Sequence, residues 1–468
     1  MKIIHISAEC YPIAKVGGLA DVVGSLPKYQ NTVETASQVI MPFYNTSFTK
    51  KGKFSTLYES NLVLGDSNFN FRILSPKNNK LGYDLFLVDI PELLFKENVY
   101  SEDDTERFLA FQIAILNWML TWKEKPSIIH CHDHHTGLVA FMMTQSYKYE
   151  ELSNIPTVFT IHNAQYQGWF SHERVGLIPE FNFDNVGLLD WDGSINPLAT
   201  AIKCSWRVTT VSPSYMEELK EDANGLESLL KSESDKCFGI LNGIDIDVWN
   251  PETDPYLIKK YKKTTVQSGQ KANKKWLCQQ FNLDVDKPLF AFIGRLVGEK
   301  GSDLFPETFK KALQNNNISI LLLGSGNKEV EEQLIQLKVD FKGSYNAFIG
   351  YDEKLSHIIY AGADFLLMPS RVEPCGLNQM YALRYGTIPI VRNIGGLKDT
   401  VIDISKTEGF GICHNNVTVS EIVMAIERGE KLYQNQVKYK QIRKQIMSIN
   451  NSWDASATAY INLYKSLN

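Results

Sequence analysis

Short apolar runs recur along the chain, separated by longer stretches with apolar residues at helical spacing. In the first half they fall at residues 3–7, 38–42, 85–89, 127–131, 157–161 and 208–211. In the second half they fall at residues 289–293, 319–323, 346–349, 365–368 and 388–391. The runs are continuous rather than alternating in polarity, as expected of strands covered on both faces of a parallel sheet. Two such series predict an α/β protein of two Rossmann-like, doubly wound domains. Residues 108–120 form the longest apolar stretch, interrupted by Gln112 and Asn117. It is too short to span a bilayer and predicts a buried helix.

Turn signals cluster at Asn242-Gly243-Ile244-Asp245, Asn250-Pro251 and Asp254-Pro255, and the charged segment 259–275 follows. The domains are therefore expected at 1–245 and 246–450. Trp453, Ala457, Tyr460 and Tyr464 stand at helical spacing, which predicts a packed closing helix over 451–468. No repeats and no low-complexity tract interrupt this plan.

The chain has 468 residues, 44% hydrophobic and 22% charged, with net charge −5. That balance is ordinary for a globular protein and gives no support to nucleic-acid or membrane-surface binding. The chain opens directly on a strand pattern, so no signal peptide is expected. Seven cysteines, dispersed and without a C-x-x-C pair, predict reduced thiols and a cytoplasmic location.

In open α/β sheets ligands sit beyond the carboxyl ends of strands, so the residues that follow each run carry the chemistry. After the first run come Lys15-Val16-Gly17-Gly18 and a helix-like segment reaching Tyr29. A glycine pair before a helix start, with a lysine beside it, suits a phosphate; an isolated Gly-Gly is more often a plain turn. The segment matches neither G-x-G-x-x-G nor the P-loop pattern. Later strand ends carry His132-Asp133-His134-His135, His162-Asn163, Gly294-Arg295 with Lys300-Gly301, and Ser370-Arg371-Val372-Glu373-Pro374-Cys375-Gly376-Leu377. Arg295 and Lys300 suit a diphosphate, as a fork plus a point charge; alone they could equally be a solvated pair. Glu373 reads as a functional carboxylate or as a helix-capping one. The run from His130 to His135 invites a zinc reading, but His130 and Cys131 are adjacent in a strand and point to opposite faces, so no metal site is expected.

Together these segments resemble a known family. Lys15-x-Gly-Gly-Leu-Ala-Asp-Val, His132-Asp-x-His135, Thr160-x-His-Asn, Leu241-Asn-Gly-Ile-Asp245, Gly294-Arg-Leu-x-x-x-Lys-Gly301, Ser370-Arg-x-Glu-Pro-Cys-Gly376 and Gly395-Gly-Leu-x-Asp-Thr400 look like bacterial glycogen and plant starch synthases, in family order and over nearly the whole chain. The resemblance implies a glycosyltransferase-B fold, two Rossmann-like domains facing a cleft, with the C-terminal helix crossing back to the first domain. It implies retaining transfer of glucose from ADP-glucose to the non-reducing end of an α-1,4-glucan, without a metal or other cofactor.

The same resemblance assigns roles. Lys15 and Gly18 belong to the nucleotide-sugar site, with Asp21 near the nucleoside. Arg295 and Lys300 hold the diphosphate, helped by backbone N–H groups of Gly376 and Leu377. Glu373 binds donor-glucose hydroxyls, and His162 lies beside the donor glucose. Asp133 and Asn242 help to place the sugars, and Tyr351 and Tyr381 contact the nucleoside. Three departures stand out: His134 replaces the family's usual tryptophan, Asn378 replaces a threonine in the phosphate-binding helix, and Leu94-Phe95-Lys96 replaces the acceptor-side Tyr-Asp-Arg. They bear on glucan contact and acceptor preference more than on reaction type. The alternatives are a related glycosyltransferase using UDP-glucose or a small acceptor, and a catalytically silent glucan-binding protein. The sequence does not indicate the oligomeric state.

Overall fold

The computed structural model describes residues 1–467. The chain folds as two compact units, one formed by Met1–Gly243 with the closing segment from Trp453, the other by Ile244–Ser452. Among the described residues no helix is long and apolar enough to cross a membrane.

The strands of the first unit are β1 (Lys2–Ile6), β2 (Ala36–Pro42), β3 (Phe54–Leu64), β4 (Ser67–Pro76), β5 (Asp84–Asp89), β6 (Ile128–His132), β7 (Thr157–Ile161), β8 (Asp190–Trp191), β9 (Ser194–Ile195), β10 (Arg207–Thr210) and β11 (Cys237–Gly239). Nine of them form one sheet in the order β11-β10-β7-β6-β1-β2-β5-β4-β3, while β8 and β9 pair as a small hairpin. All six apolar runs of this half appear as parallel strands. The sheet is nevertheless mixed: β3 and β4 pair antiparallel at its edge, and β4 pairs antiparallel with β5. Continuous apolarity could not reveal β3, because only Leu62 and Leu64 of the strand are buried.

In the second unit, β12 (Leu289–Leu296), β13 (Ser319–Gly326), β14 (Tyr345–Ile349), β15 (Phe365–Met368), β16 (Ile388–Arg392) and β17 (Ile412–His414) form a wholly parallel sheet in the order β14-β13-β12-β15-β16-β17. Each sheet reverses its direction of growth once, the first between β1 and β6, the second between β12 and β15. Such switch points open a crevice at the carboxyl ends of the flanking strands.

The closing helix Trp453–Lys465 belongs to the first unit. Trp453, Ala457, Tyr460 and Tyr464 pack against Ile3, Val22, Leu26, Ile128 and Val158, covering one face of the central strands. Fully burying an aromatic side chain contributes about 1.5–3 kcal/mol, so these three rings explain why the chain returns.

Candidate functional site

In the second unit the two segments flanking the switch point meet. The turn Gly298–Lys300 follows β12, and the segment 369–376 follows β15. Lys300 Nζ donates to both carboxylate oxygens of Glu373, at 2.7 Å each, and Ser370 Oγ donates to Glu373 Oε2 at 2.8 Å. Glu373 is buried, so its charge is held by this one ammonium and one hydroxyl rather than by water. The turn sits tightly on β15: Gly301 has φ +70°, and a Cβ there would lie 2.6 Å from the Pro369 carbonyl oxygen.

Arg371 fastens the two loops, a role not foreseen from sequence. Its guanidinium donates to both oxygens of Asp303 at 2.5 and 2.8 Å and to the Gly298 carbonyl at 2.6 Å. Arg295 is half exposed, and its nearest carboxylate, Glu299, lies at 3.7 Å. Its fork is therefore loosely held, whereas Lys300 is committed to Glu373.

Gly376, at φ +73°, turns the chain into the helix Asn378–Tyr385, whose N-cap Leu377 supplies no side-chain hydrogen bond. The first-turn N–H groups are thus available to an anion. Asn378 does not cap this helix; its amide donates to the Ile293 carbonyl at 2.8 Å and ties the helix start to β12. Tyr351, after β14, is strongly exposed, whereas Tyr381 is buried. The Tyr381 ring stacks on Trp249 with centroids 3.8 Å apart and packs edge-on to Tyr360.

In the first unit, the helix Gly18–Gln30 begins without a side-chain cap. A Cβ at Gly17 or Gly18 would meet nothing within 4 Å, and neither residue has positive φ. Packing and backbone strain therefore do not require glycine at either position. Lys15 Nζ pairs with Asp21 Oδ1 at 2.7 Å across the helix start. Sequence reading missed Glu9. This buried carboxylate accepts from the N–H groups of Val16 at 2.6 Å and Gly17 at 2.9 Å, and from the Tyr100 hydroxyl, so it shapes the glycine loop. Its signal was a lone acidic residue directly after the first strand.

On the other side of this switch point, after β6, Asp133 is buried with φ +56° and accepts from the His162 N–H at 2.7 Å. Burial raises its carboxyl to about 7, against the lowering pull of the His162 and Asn163 N–H groups. Burial likewise lowers His162 to about 3. Asn242, also buried, leaves its Oδ1 without a hydrogen-bond partner among the described residues. His134 packs on His135, with ring centroids 3.7 Å apart, and a Cβ at Gly168 would lie 2.4 Å from it. Phe95, in the altered acceptor-side segment, is partly exposed and stacks on Phe43.

His130 and His132 stand two apart on one face of β6, and with His5 from β1 their ring nitrogens lie within 4.8 Å of one another. Every one of those nitrogens is already in a hydrogen bond, to Tyr464, Thr160, His162, Gln30 or one another, so an ion would have to break that network to bind.

Two units built on largely parallel sheets, with basic, acidic and glycine-rich strand ends at their switch points, define a nucleotide-sugar glycosyltransferase of the glycosyltransferase-B fold. Comparison with known proteins agrees. Residues 2–232 match the starch synthase catalytic domain, and residues 274–445 match glycosyl transferases group 1. The chain is 52% identical to the glycogen synthase of Flavobacterium johnsoniae over 467 residues, covering 99% of this chain and 98% of the relative. It is 35% identical to that of Anoxybacillus flavithermus over 478 residues, covering 100% of this chain and 98% of the relative. The catalytic domain of starch synthase IV from Arabidopsis thaliana, solved with ADP and acarbose, superposes with a TM-score of 0.91 at 33% identity, over 99% of each chain. Sucrose-phosphate synthase from Thermosynechococcus elongatus shares the fold, with a TM-score of 0.64 at 16% identity, over 100% of this chain and 98% of that one. The chain belongs to the glycogen and starch synthase family of glycosyltransferases.

Proposed function

We propose that the protein is a glycogen synthase, transferring glucose from ADP-glucose to the non-reducing end of an α-1,4-glucan with retention of configuration. The observation that carries this reading is the Lys300–Glu373 pair at the switch point of the second unit, beside a helix start with uncapped N–H groups. A cation there meets a departing diphosphate, while a buried carboxylate is placed to bind sugar hydroxyls. Membership of the family and the ADP bound to the Arabidopsis relative support ADP-glucose as donor.

In this reading Arg295, Lys300 and the N–H groups of Gly376 and Leu377 neutralise the diphosphate, so the reaction asks for no metal or other cofactor. Glu373 orients the donor glucose. Lys15 and Gly18 serve the nucleotide sugar from the first unit, with Asp21 steadying Lys15. Asp133, His162 and Asn242 place the sugars, and Tyr351 offers a face to the nucleoside. The bond from the anomeric carbon to the phosphate oxygen breaks, the bond to the acceptor's 4-hydroxyl oxygen forms on the same face, and the acceptor proton passes to the leaving phosphate. All seven cysteines are unpaired, which supports a reducing, cytoplasmic setting. Incubation with glycogen and either ADP-glucose or UDP-glucose tests the proposal. Elongation is expected with ADP-glucose in preference; elongation with neither donor sinks it.

A further inference from the structure

Three histidine rings and one amide form a hydrogen-bonded column in the core of the first unit. His162 Nε2 lies 3.0 Å from His132 Nδ1, His132 Nε2 lies 3.0 Å from His5 Nδ1, and His5 Nε2 lies 2.7 Å from Gln30 Oε1. All four side chains are buried. The other ring nitrogen of His162, Nδ1, has no hydrogen-bond partner among the described residues.

The protons in this column follow from one end. An amide oxygen can only accept, so His5 Nε2 carries a proton. Burial drives His5 down to about 4, His162 down to about 3 and His132 well below its ordinary value, so each ring is neutral and carries one proton. His5 Nδ1 is then a lone pair and accepts from His132 Nε2–H. His132 Nδ1 in turn accepts from His162 Nε2–H, and His162 Nδ1 is left as a lone pair. The opposite orientation of the Gln30 amide would reverse every step and make His162 Nδ1 a donor.

Tyr464, on the closing helix, decides the orientation. Its hydroxyl lies 2.6 Å from His130 Nδ1 and 3.2 Å from Gln30 Nε2. A phenol is a stronger donor than an imidazole N–H, and a bare imidazole nitrogen is a stronger acceptor than a phenol oxygen. The hydroxyl proton therefore goes to His130, and the oxygen accepts from the Gln30 amide nitrogen. This turns the Gln30 carbonyl toward His5, where it also accepts from Ser37 Oγ at 2.8 Å. His130 passes the pattern on through Nε2–H to Thr160 Oγ1 at 2.6 Å.

We propose that Gln30, oriented by Tyr464, is a positioning residue that sets His162 as the Nε2–H tautomer, so that His162 Nδ1 offers a lone pair to a hydroxyl of the bound sugar. The inference rests on the reading that His162 serves the donor glucose. It extends the site from the strand ends through the sheet to the closing helix.

Nitrogen-15 NMR of the full-length protein labelled at histidine tests it, with His162→Gln identifying the resonance. A pyridine-like Nδ1 and a pyrrole-like Nε2 are expected for His162 in the unmutated protein. Gln30→Glu, which keeps an acceptor toward His5, should preserve this signature. Gln30→Met should lose it and lower kcat/KM for ADP-glucose by roughly tenfold, the loss of about one hydrogen bond. A pyrrole-like Nδ1 at His162 in the unmutated protein overturns the proposal, as does an unaltered signature in Gln30→Met. Should Gln30→Met not fold, the unmutated spectrum still decides. The spectrum reads the tautomer without turnover, so failure of the proposed activity registers separately in the elongation assay.

Discussion

Lys300 and Glu373 behave as one unit, because each is the other's main partner: the ammonium bonds both carboxylate oxygens at 2.7 Å and the carboxylate is buried. In Lys300→Ala the developing diphosphate charge loses its cation and Glu373 loses its counter-ion. We expect kcat to fall on the order of 100-fold or more, with a smaller change in KM, since the lost contact strengthens as the leaving group departs. Steady-state kinetics with ADP-glucose check this, and an unchanged kcat would remove Lys300 from the chemistry. Gly18 separates ligand from fold in a different way. Nothing lies within 4 Å of a Cβ added there, and the residue starts a helix. Gly18→Ala should therefore leave thermal stability unchanged or slightly raised, while KM for the donor rises severalfold. A drop in melting temperature would return the glycine to a purely structural role.

At the scale of elements, the glycine at the end of the β12 turn has the opposite character. Gly301 combines φ +70° with only 2.6 Å from a would-be Cβ to the Pro369 carbonyl oxygen. Gly301→Ala should destabilise the second unit by about 1–3 kcal/mol and misplace Lys300, so melting temperature and kcat fall together. A variant as stable as the parent would show that the turn can shift freely away from β15. The elements also show what a sequence can reveal. The parallel strands were legible because both faces are buried, which writes an unbroken apolar run. The hairpin of β3 and β4 was not, because its exposed positions break the run. Motif residues such as Lys300 and Glu373 could be picked out at strand ends, but not the bond between them, since 73 positions separate them. Glu9 and Arg371 escaped for a related reason: their work is to hold neighbouring backbone, and their value appears only when the loops are folded.

Across the whole molecule, the first unit stores an acid sensitivity that the strand-end reading alone did not expose. Burial lowers His5 and His134 to about 4 and His162 to about 3, and holds His130, His132 and His135 well below their ordinary value. In the unfolded chain each titrates near 6.5. Below that pH the unfolded state takes up protons that the folded state refuses. The stabilisation is thus fully present above about 6.5 and is lost as pH falls, by about 1.4 kcal/mol per pH unit for each independent group. Asp133 acts in the opposite sense. With its folded value raised by burial to about 7 against an ordinary 3.8, it holds a proton that the unfolded chain releases, so its contribution grows as pH falls through that window. One carboxyl opposes six histidines, and the histidines prevail. In the second unit Asp364, despite burial that would raise it, is held below the usual carboxylate range by Lys274 and Arg443, so its contribution is lost only at lower pH. We therefore expect the urea midpoint of the first unit to drop steeply between pH 6.5 and 5, before ordinary carboxylates protonate. His5→Gln should make that slope shallower by removing one titrating ring. A midpoint constant across this range would mean that these histidines titrate alike in the folded and unfolded chains, and that the column is open to water.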